Sequence, residues 1–137
     1  MTDHFQVLPV GIIRKRRDAV AIEVFEKYGD ALLGLDHFSH VIVFFWFHKN
    51  DTSVDRNILQ VHPRGNKANP LQGVFATRSP IRPNLIGIST CTILSVDHNI
   101  IHIDKIDAFD GTPVIDLKPC TSKTDTMLEV RVPKWAD

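Results

Sequence analysis

Two short strings in this sequence carry the polar residues best placed to do chemistry. The first, Gly73 to Asn84, reads GVFATRSPIRPN and sets Arg78, Ser79 and Arg82 among prolines. Proline fixes the backbone and lowers the entropy lost on ordering, so these arginines are held rather than free. A held guanidinium suits two-pronged recognition of a carboxylate or a phosphate. The competing reading is a rigid turn whose arginines pair with surface acids. The second string, Asp107 to Pro119, reads DAFDGTPVIDLKP. Asp110-Gly111 opens a turn that Thr112 and Pro113 complete. Asp116 and Lys118 lie two apart in an apparent strand, so they share a face, opposite Ile115 and Leu117. Asp110 or Asp116 could accept a proton. The alternative is turn capping by Asp110 and a surface ion pair between Asp116 and Lys118.

Other chemistries find less support. His37, His40, His48 and His62 are scattered, and no HExxH or carboxylate cluster joins them, so no metal site is expected. Cys91 and Cys120 stand far apart without a CxxC, which reads as two free thiols in a reducing cytoplasm. There is no GxGxxG after a strand, no Walker motif and no GxSxG elbow. The βαβ alternation of a Rossmann-type methyltransferase is missing as well.

The elements that must position these residues read mostly as strands. Expected strands cover Val7 to Ile13, Ala19 to Phe25, His40 to His48, Ile86 to Val96, Ile100 to Ile106, Val114 to Leu117 and Met127 to Val132. The run HVIVFFWFH, His40 to His48, reads as a strand buried on both faces. Asp97-His98-Asn99 is a plausible hairpin turn. Asp30 to Asp36 could form one short helix. The expected fold is therefore mainly all-β: a small antiparallel barrel with one or two short helical segments, spanning residues 1–137 as a single domain. Lys49 to Gln72 is long, polar and rich in Asn, Pro and Gly, and it reads as a long functional loop leading into the first string.

Composition sets the outer limits. A chain of 137 residues, 43% hydrophobic and 23% charged, is globular. The N-terminus lacks a basic region followed by an apolar run, so no signal peptide is expected. The longest apolar run, Val41 to Phe47, is too short to span a bilayer, so no membrane partner is expected. Formal net charge is zero, which at first argues against nucleic acid. The charges are segregated, however. No acid lies between Asp55 and Asp97, a window that holds Arg56, Arg64, Lys67, Arg78 and Arg82. Such a neutral chain can present a local positive field to an anion. A second cluster, Arg14 to Arg17, reads as a solvated turn.

Together the segments match a known pattern. Ser39-His40, the apolar strand ending in Phe47-His48, HPRG (His62 to Gly65), GVFATRSPIRPNLIG (Gly73 to Gly87) and DAFDGTPVIDLKP (Asp107 to Pro119) closely resemble the TsaA-like, TrmO-type family. They cover well over half the chain in the right order. The resemblance implies a small β-barrel that binds S-adenosylmethionine, works as a cytoplasmic homodimer with its site near the subunit interface, and methylates N6 of a threonylcarbamoyl-modified adenosine beside the tRNA anticodon. It implies cofactor contacts at His48, Lys49, Arg78, Ile88, Ala108, Phe109, Asp110 and Gly111.

On that reading Arg78 pairs the cofactor carboxylate, and Asp110 or Phe109 faces the sulfonium. Asp110 or Asp116 takes the acceptor's proton. Arg64, Lys67 and Arg82 meet RNA phosphate, and Lys118 joins them as a substrate contact. DNA is not an expected partner. The chain departs from the family in three places. The segment Arg14 to Ala19 is short and lacks the proline-and-arginine stretch of longer members, so that part of the cofactor site is either missing or rebuilt from Arg16 or Arg17. Cys120 stands where a tyrosine is common. The C-terminal extension of longer members is also lacking. These departures leave open a second reading, a cofactor-binding protein that acts on a small molecule or senses the cofactor without RNA activity.

Overall fold

Runs of β-branched residues broken by tight turns build this chain. The computed structural model describes residues 3–136; Met1 and Thr2, which open the stretch read for a signal peptide, and Asp137 lie outside the described residues. The strands are β1 (Gly11–Arg16), β2 (Ala19–Val24), β3 (His40–Trp46), β4 (Gln60–Val61), β5 (Gln72–Gly73), β6 (Ile86–Asp97), β7 (Ile100–Ile103) and β8 (Pro113–Pro119). Six of them close into a barrel in the order β1-β2-β7-β6-β3-β8, and β4 pairs with β5 in a separate two-stranded sheet. The pairings β1–β2, β2–β7, β6–β7, β3–β8 and β1–β8 are all antiparallel. Closure leaves the barrel without the open edges that invite aggregation.

The described chain divides into two compact units. The first, residues 3–46 and 87–120, contains nearly all of the barrel. Alternation along each strand fills its interior with Ile13, Ile22, Val41, Val43, Ile101, Ile103 and Val114, all buried. Each such side chain contributes about 1.5–3 kcal/mol by leaving water. Cys91 shares this core, and its burial pushes the thiol pKa up, against a weaker lowering by its hydrogen bond to Ser89. Gly11 is required by close approach: a Cβ there would lie 2.6 Å from the Glu23 carbonyl oxygen.

Two turns tighten the barrel. β1 and β2 pair to the last residue, Arg16 with Ala19, leaving only Arg17 and Asp18 to turn the chain. Of the basic cluster, Arg14 bridges to Glu23 at 3.2 Å across this hairpin, and Arg16 and Arg17 are exposed. β6 and β7 meet at His98-Asn99, the hairpin turn expected there. His98 has φ 58, a left-handed backbone usually left to glycine at this first turn position. Asn99 then ties the turn to the end of β2, its Nδ2 donating to the Val24 carbonyl at 2.8 Å.

Several expectations are corrected. β1 begins at Gly11 rather than Val7, because Leu8 to Val10 precede the register with β2 and β8. β7 ends at Ile103, where the chain turns away at Asp104. β3 is not buried on both faces: Val41, Val43 and Phe45 point inward, and Ile42, Phe44 and Trp46 are half-buried, as a barrel wall requires. The region of Asp30 to Asp36 is not one helix but two 3-10 segments, Glu26–Leu32 and Leu35–His37, separated near Gly34, whose φ is 91. Residues 127–132 form no strand and are exposed.

The second unit, residues 47–86 and 121–136, contains the stretch expected as a loop. It is ordered by short elements. Helix α1 (Ser53–Asn57) is capped by Thr52, whose hydroxyl accepts from the Asp55 N–H at 3.1 Å. Arg56 on α1 bridges to Asp51 at 3.1 Å and donates to the Pro83 carbonyl at 2.9 Å. β4 and β5 then set His62 to Gly65 and Gly73 to Pro80 side by side. Helix α2 (Ser122–Asp125) and a 3-10 turn at Lys134–Ala136 complete the unit.

Candidate functional site

The site residues read from the sequence fall in both units. In the second unit, His48 and Lys49 open the 3-10 turn His48–Asn50 directly after β3. Asn50 anchors that turn by donating to Asp55 at 3.1 Å. His48 is half-buried and Lys49 exposed.

Further along the same unit, two braced loops line one cleft of about 710 Å³. The first is HPRG. His62 Nδ1 lies 2.9 Å from the Asn69 carbonyl, and Asn69 Nδ2 donates to the Pro63 carbonyl at 2.9 Å. These bonds hold Arg64 at φ 59, ψ 22, a conformation rare outside glycine, followed by Gly65 at φ 64. The second loop is ATRSPIR. Thr77 donates to the Val74 carbonyl at 2.8 Å and accepts from the Ser79 N–H at 3.2 Å. Ser79 accepts from the Ile81 N–H at 3.1 Å. One nitrogen of Arg82 donates to the carbonyls of Thr77 and Ser79, at 3.2 and 3.0 Å. The two arginines of this string therefore differ. Arg82 helps to tie the loop, and Arg78, exposed on it, makes no hydrogen bond or ion pair among the described residues. Arg64 and Lys67 are exposed and likewise without such partners.

In the first unit the DG turn is equally well defined. The Phe109 carbonyl accepts from the Thr112 N–H at 3.2 Å and from its hydroxyl at 2.7 Å. Gly111 supplies φ 84 at the third position, as a type II turn demands. The Gly111 N–H donates to the Ile13 carbonyl at 2.7 Å, and the Asp110 carboxylate accepts the Lys15 N–H at 2.7 Å. The turn is thus pinned to β1 from two sides. Ala108 is half-buried, Phe109 and Asp110 are exposed, and Ile88 is exposed near the start of β6. Asp116 and Lys118 form an exposed ion pair at 3.1 Å on β8, the alternative that the sequence offered for these two residues.

Among the described residues no three His, Cys, Asp or Glu side chains gather as a metal site would need, and no helix is long and apolar enough to cross a membrane.

The model of the tRNA-methyltransferase O N-terminal domain matches residues 7–126. The chain belongs to this family. Its TrmO relatives include the crystal structure of TrmO from Pseudomonas aeruginosa, which superposes with a TM-score of 0.77 at 27% identity, covering all of this chain and 64% of that one. A probable S-adenosyl-L-methionine-binding protein of Methanocaldococcus jannaschii is 46% identical over 121 residues, covering 88% of this chain and 96% of its own. A human tRNA (adenine(37)-N6)-methyltransferase is 40% identical over 121 residues, covering 88% of this chain and 25% of its own. The chain thus spans less than two thirds of the solved TrmO and about a quarter of the human enzyme. TrmO structures share the barrel, so the expected fold stands.

Sequence reading missed two residues of the cleft. Phe75 and Trp135 both line it. Phe75 stands inside the string GVFATRSPIRPN, whose polar signal comes from Arg78 and Arg82. Trp135 lies in the tail beside Arg131 and Lys134, and its aromatic character among cations was its only signal.

Proposed function

We propose that this chain transfers a methyl group from S-adenosylmethionine to N6 of an adenosine beside the tRNA anticodon. The observation that carries this is family membership over residues 7–126, joined to 40% identity with a tRNA (adenine(37)-N6)-methyltransferase. The threonylcarbamoyl modification of that adenosine, a homodimer and a cytoplasmic setting belong to the same proposal.

The side chains suit the cofactor. Arg78, without a partner among the described residues on its tied loop, offers a guanidinium for the carboxylate. Asp110 and the exposed Phe109 ring are fitting neighbours for a sulfonium. Ile88, 43% exposed, presents an apolar face for adenine, with the backbone of Ala108 and Gly111 supplying hydrogen-bonding groups. His48 and Lys49 complete the set. When bound, S-adenosylmethionine supplies an electrophilic methyl group carried on a sulfonium sulfur. The task of the chain is positioning, because the displacement is in line and little else is needed. As the new N–C bond forms, N6 must lose a proton. Asp110 takes it in this reading, through the carboxylate oxygen that does not accept the Lys15 N–H. Arg64 and Lys67 are exposed and without partners among the described residues, which suits RNA phosphate. Arg82 and Lys118 support them more weakly, each having a protein partner.

A second reading, a cofactor binder acting on a small molecule or sensing the cofactor, is favoured by one observation. The tight β1–β2 turn has no room for the proline-and-arginine segment of longer members. Salt-dependent RNA binding separates the two. Titration calorimetry with S-adenosylmethionine tests the cofactor half: the wild type binds, and Arg78→Ala loses about tenfold or more in affinity, the worth of a charge-assisted hydrogen bond. Unchanged affinity in Arg78→Ala would remove Arg78 from the cofactor site.

A further inference from the structure

The cleft of the second unit holds two aromatic side chains that the mechanism above does not use. Phe75 projects from the 3-10 turn Val74–Ala76 and is 83% exposed. A phenylalanine left in water is unexceptional alone, but this one shares its cleft with Trp135 and with Arg64. Among the described residues, none that lines that cleft is acidic. An anion entering it meets two guanidinium groups, Arg64 and Arg78, and no carboxylate of the described residues on its walls. Arg64 is presented from a strained left-handed backbone that two hydrogen bonds to Asn69 enforce. Strain of this kind persists where surrounding structure over-determines it, and it gathers at binding sites.

Aromatic faces beside cations in an open groove are the chemistry that holds unpaired nucleotides. Bases stack on the rings, and phosphates meet the guanidinium groups. We infer that Phe75, Trp135 and Arg64 form a subsite for an unpaired nucleotide of the RNA acceptor, the base stacking on the aromatic rings and its phosphate pairing with Arg64. This deepens the methyltransferase proposal and rests on its RNA half. Arg78 lines the same cleft, which sets the nucleotide beside a residue assigned to the cofactor. The adenosine part of S-adenosylmethionine has the same stacking chemistry, so the test separates the two sources.

The full chain is titrated with an RNA hairpin carrying an adenosine in its loop and, separately, with S-adenosylmethionine. Trp135 emission is read as the difference between the wild type and Trp135→Phe, since Trp46 is the one other tryptophan. The hairpin is expected to quench the Trp135 signal. Its affinity falls about tenfold or more in Trp135→Ala and in Phe75→Ala and is largely restored in Trp135→Phe, which keeps a ring for stacking. S-adenosylmethionine neither quenches Trp135 nor loses affinity in these variants. Quenching by the cofactor alone would assign the cleft to the cofactor and overturn the subsite. Hairpin affinity unchanged in both alanine variants would overturn it with the RNA reading intact. A wild type that binds cofactor and no hairpin would overturn the RNA reading, and the subsite with it.

Discussion

The guanidinium of Arg82 donates to the carbonyl of Ser79 at 3.0 Å, closing the loop from which Arg78 projects. With its second bond to Thr77, this makes Arg82 a positioning residue for its neighbour. Arg82→Ala is expected to lower S-adenosylmethionine affinity about fivefold, the order of one lost net hydrogen bond near 1 kcal/mol. Arg82→Lys should restore part of it, because both bonds come from a single nitrogen and an ammonium also carries more than one donor. Calorimetry with cofactor and with RNA separates this role from a phosphate contact, for which only RNA affinity would fall.

Two glycines are needed for different reasons, and alanine at each reads them apart. At Gly11 a Cβ would press on the Glu23 carbonyl oxygen at 2.6 Å and on the Val24 Cα at 3.1 Å. Gly11→Ala should cost about 2–3 kcal/mol in urea unfolding, as overpacking between strands does. At Gly111 nothing lies within 4 Å of a Cβ, and the constraint is φ 84 alone. Gly111→Ala should cost about 1–2 kcal/mol and in addition weaken cofactor binding, because the Asp110 turn must shift.

Asp110 and Asp116 are told apart by kinetics. Asp110→Asn keeps the shape of the turn and removes the proton acceptor, so methyl transfer should fall by about a hundredfold or more at saturating cofactor. Asp116→Asn should alter the rate little and stability by less than about 1 kcal/mol, because its ion pair with Lys118 is exposed at both ends. The reverse pattern would move the proton-accepting role to Asp116.

Much of this was legible in the residues. Ala19 to Phe25 alternates cleanly, and β2 follows it to within a residue. Asp97-His98-Asn99 names its own hairpin. The two polar strings contain Arg78 and the Gly111 turn, and each proves to be a braced loop. What stayed hidden depends on contacts between residues distant in sequence or on the backbone. Val41 to Phe47 is apolar on every residue, so nothing in it distinguishes the inward Val41, Val43 and Phe45 from the half-buried Ile42, Phe44 and Trp46. That one nitrogen of Arg82 serves two carbonyls is a matter of loop geometry. Trp135 lies far along the chain from Phe75 and meets the same cleft only after folding.

The barrel should also show a defined response to acid. Asp104 is held below the ordinary carboxylate range, chiefly by the Lys105 backbone N–H and then by that of Thr92, which reaches its Oδ1 at 2.9 Å. With the folded value depressed, the unfolded chain binds the proton more readily, so the contribution is present above the unfolded pKa of about 3.9 and is lost as pH falls through the lower folded value. Thermal melts of the wild type and Asp104→Asn from about pH 6 down to about pH 3 check this. The variant should melt lower near pH 6, and the difference should shrink toward pH 3.

The most direct measurement is transfer of labelled methyl from S-adenosylmethionine to bulk tRNA by the purified full chain, followed by nucleoside digestion and mass analysis. Label is expected in one adenosine-derived nucleoside, methylated at N6, with transfer lost in Arg78→Ala and reduced as salt rises. Cofactor bound tightly by the wild type with no label entering tRNA at any salt concentration would contradict the proposed function.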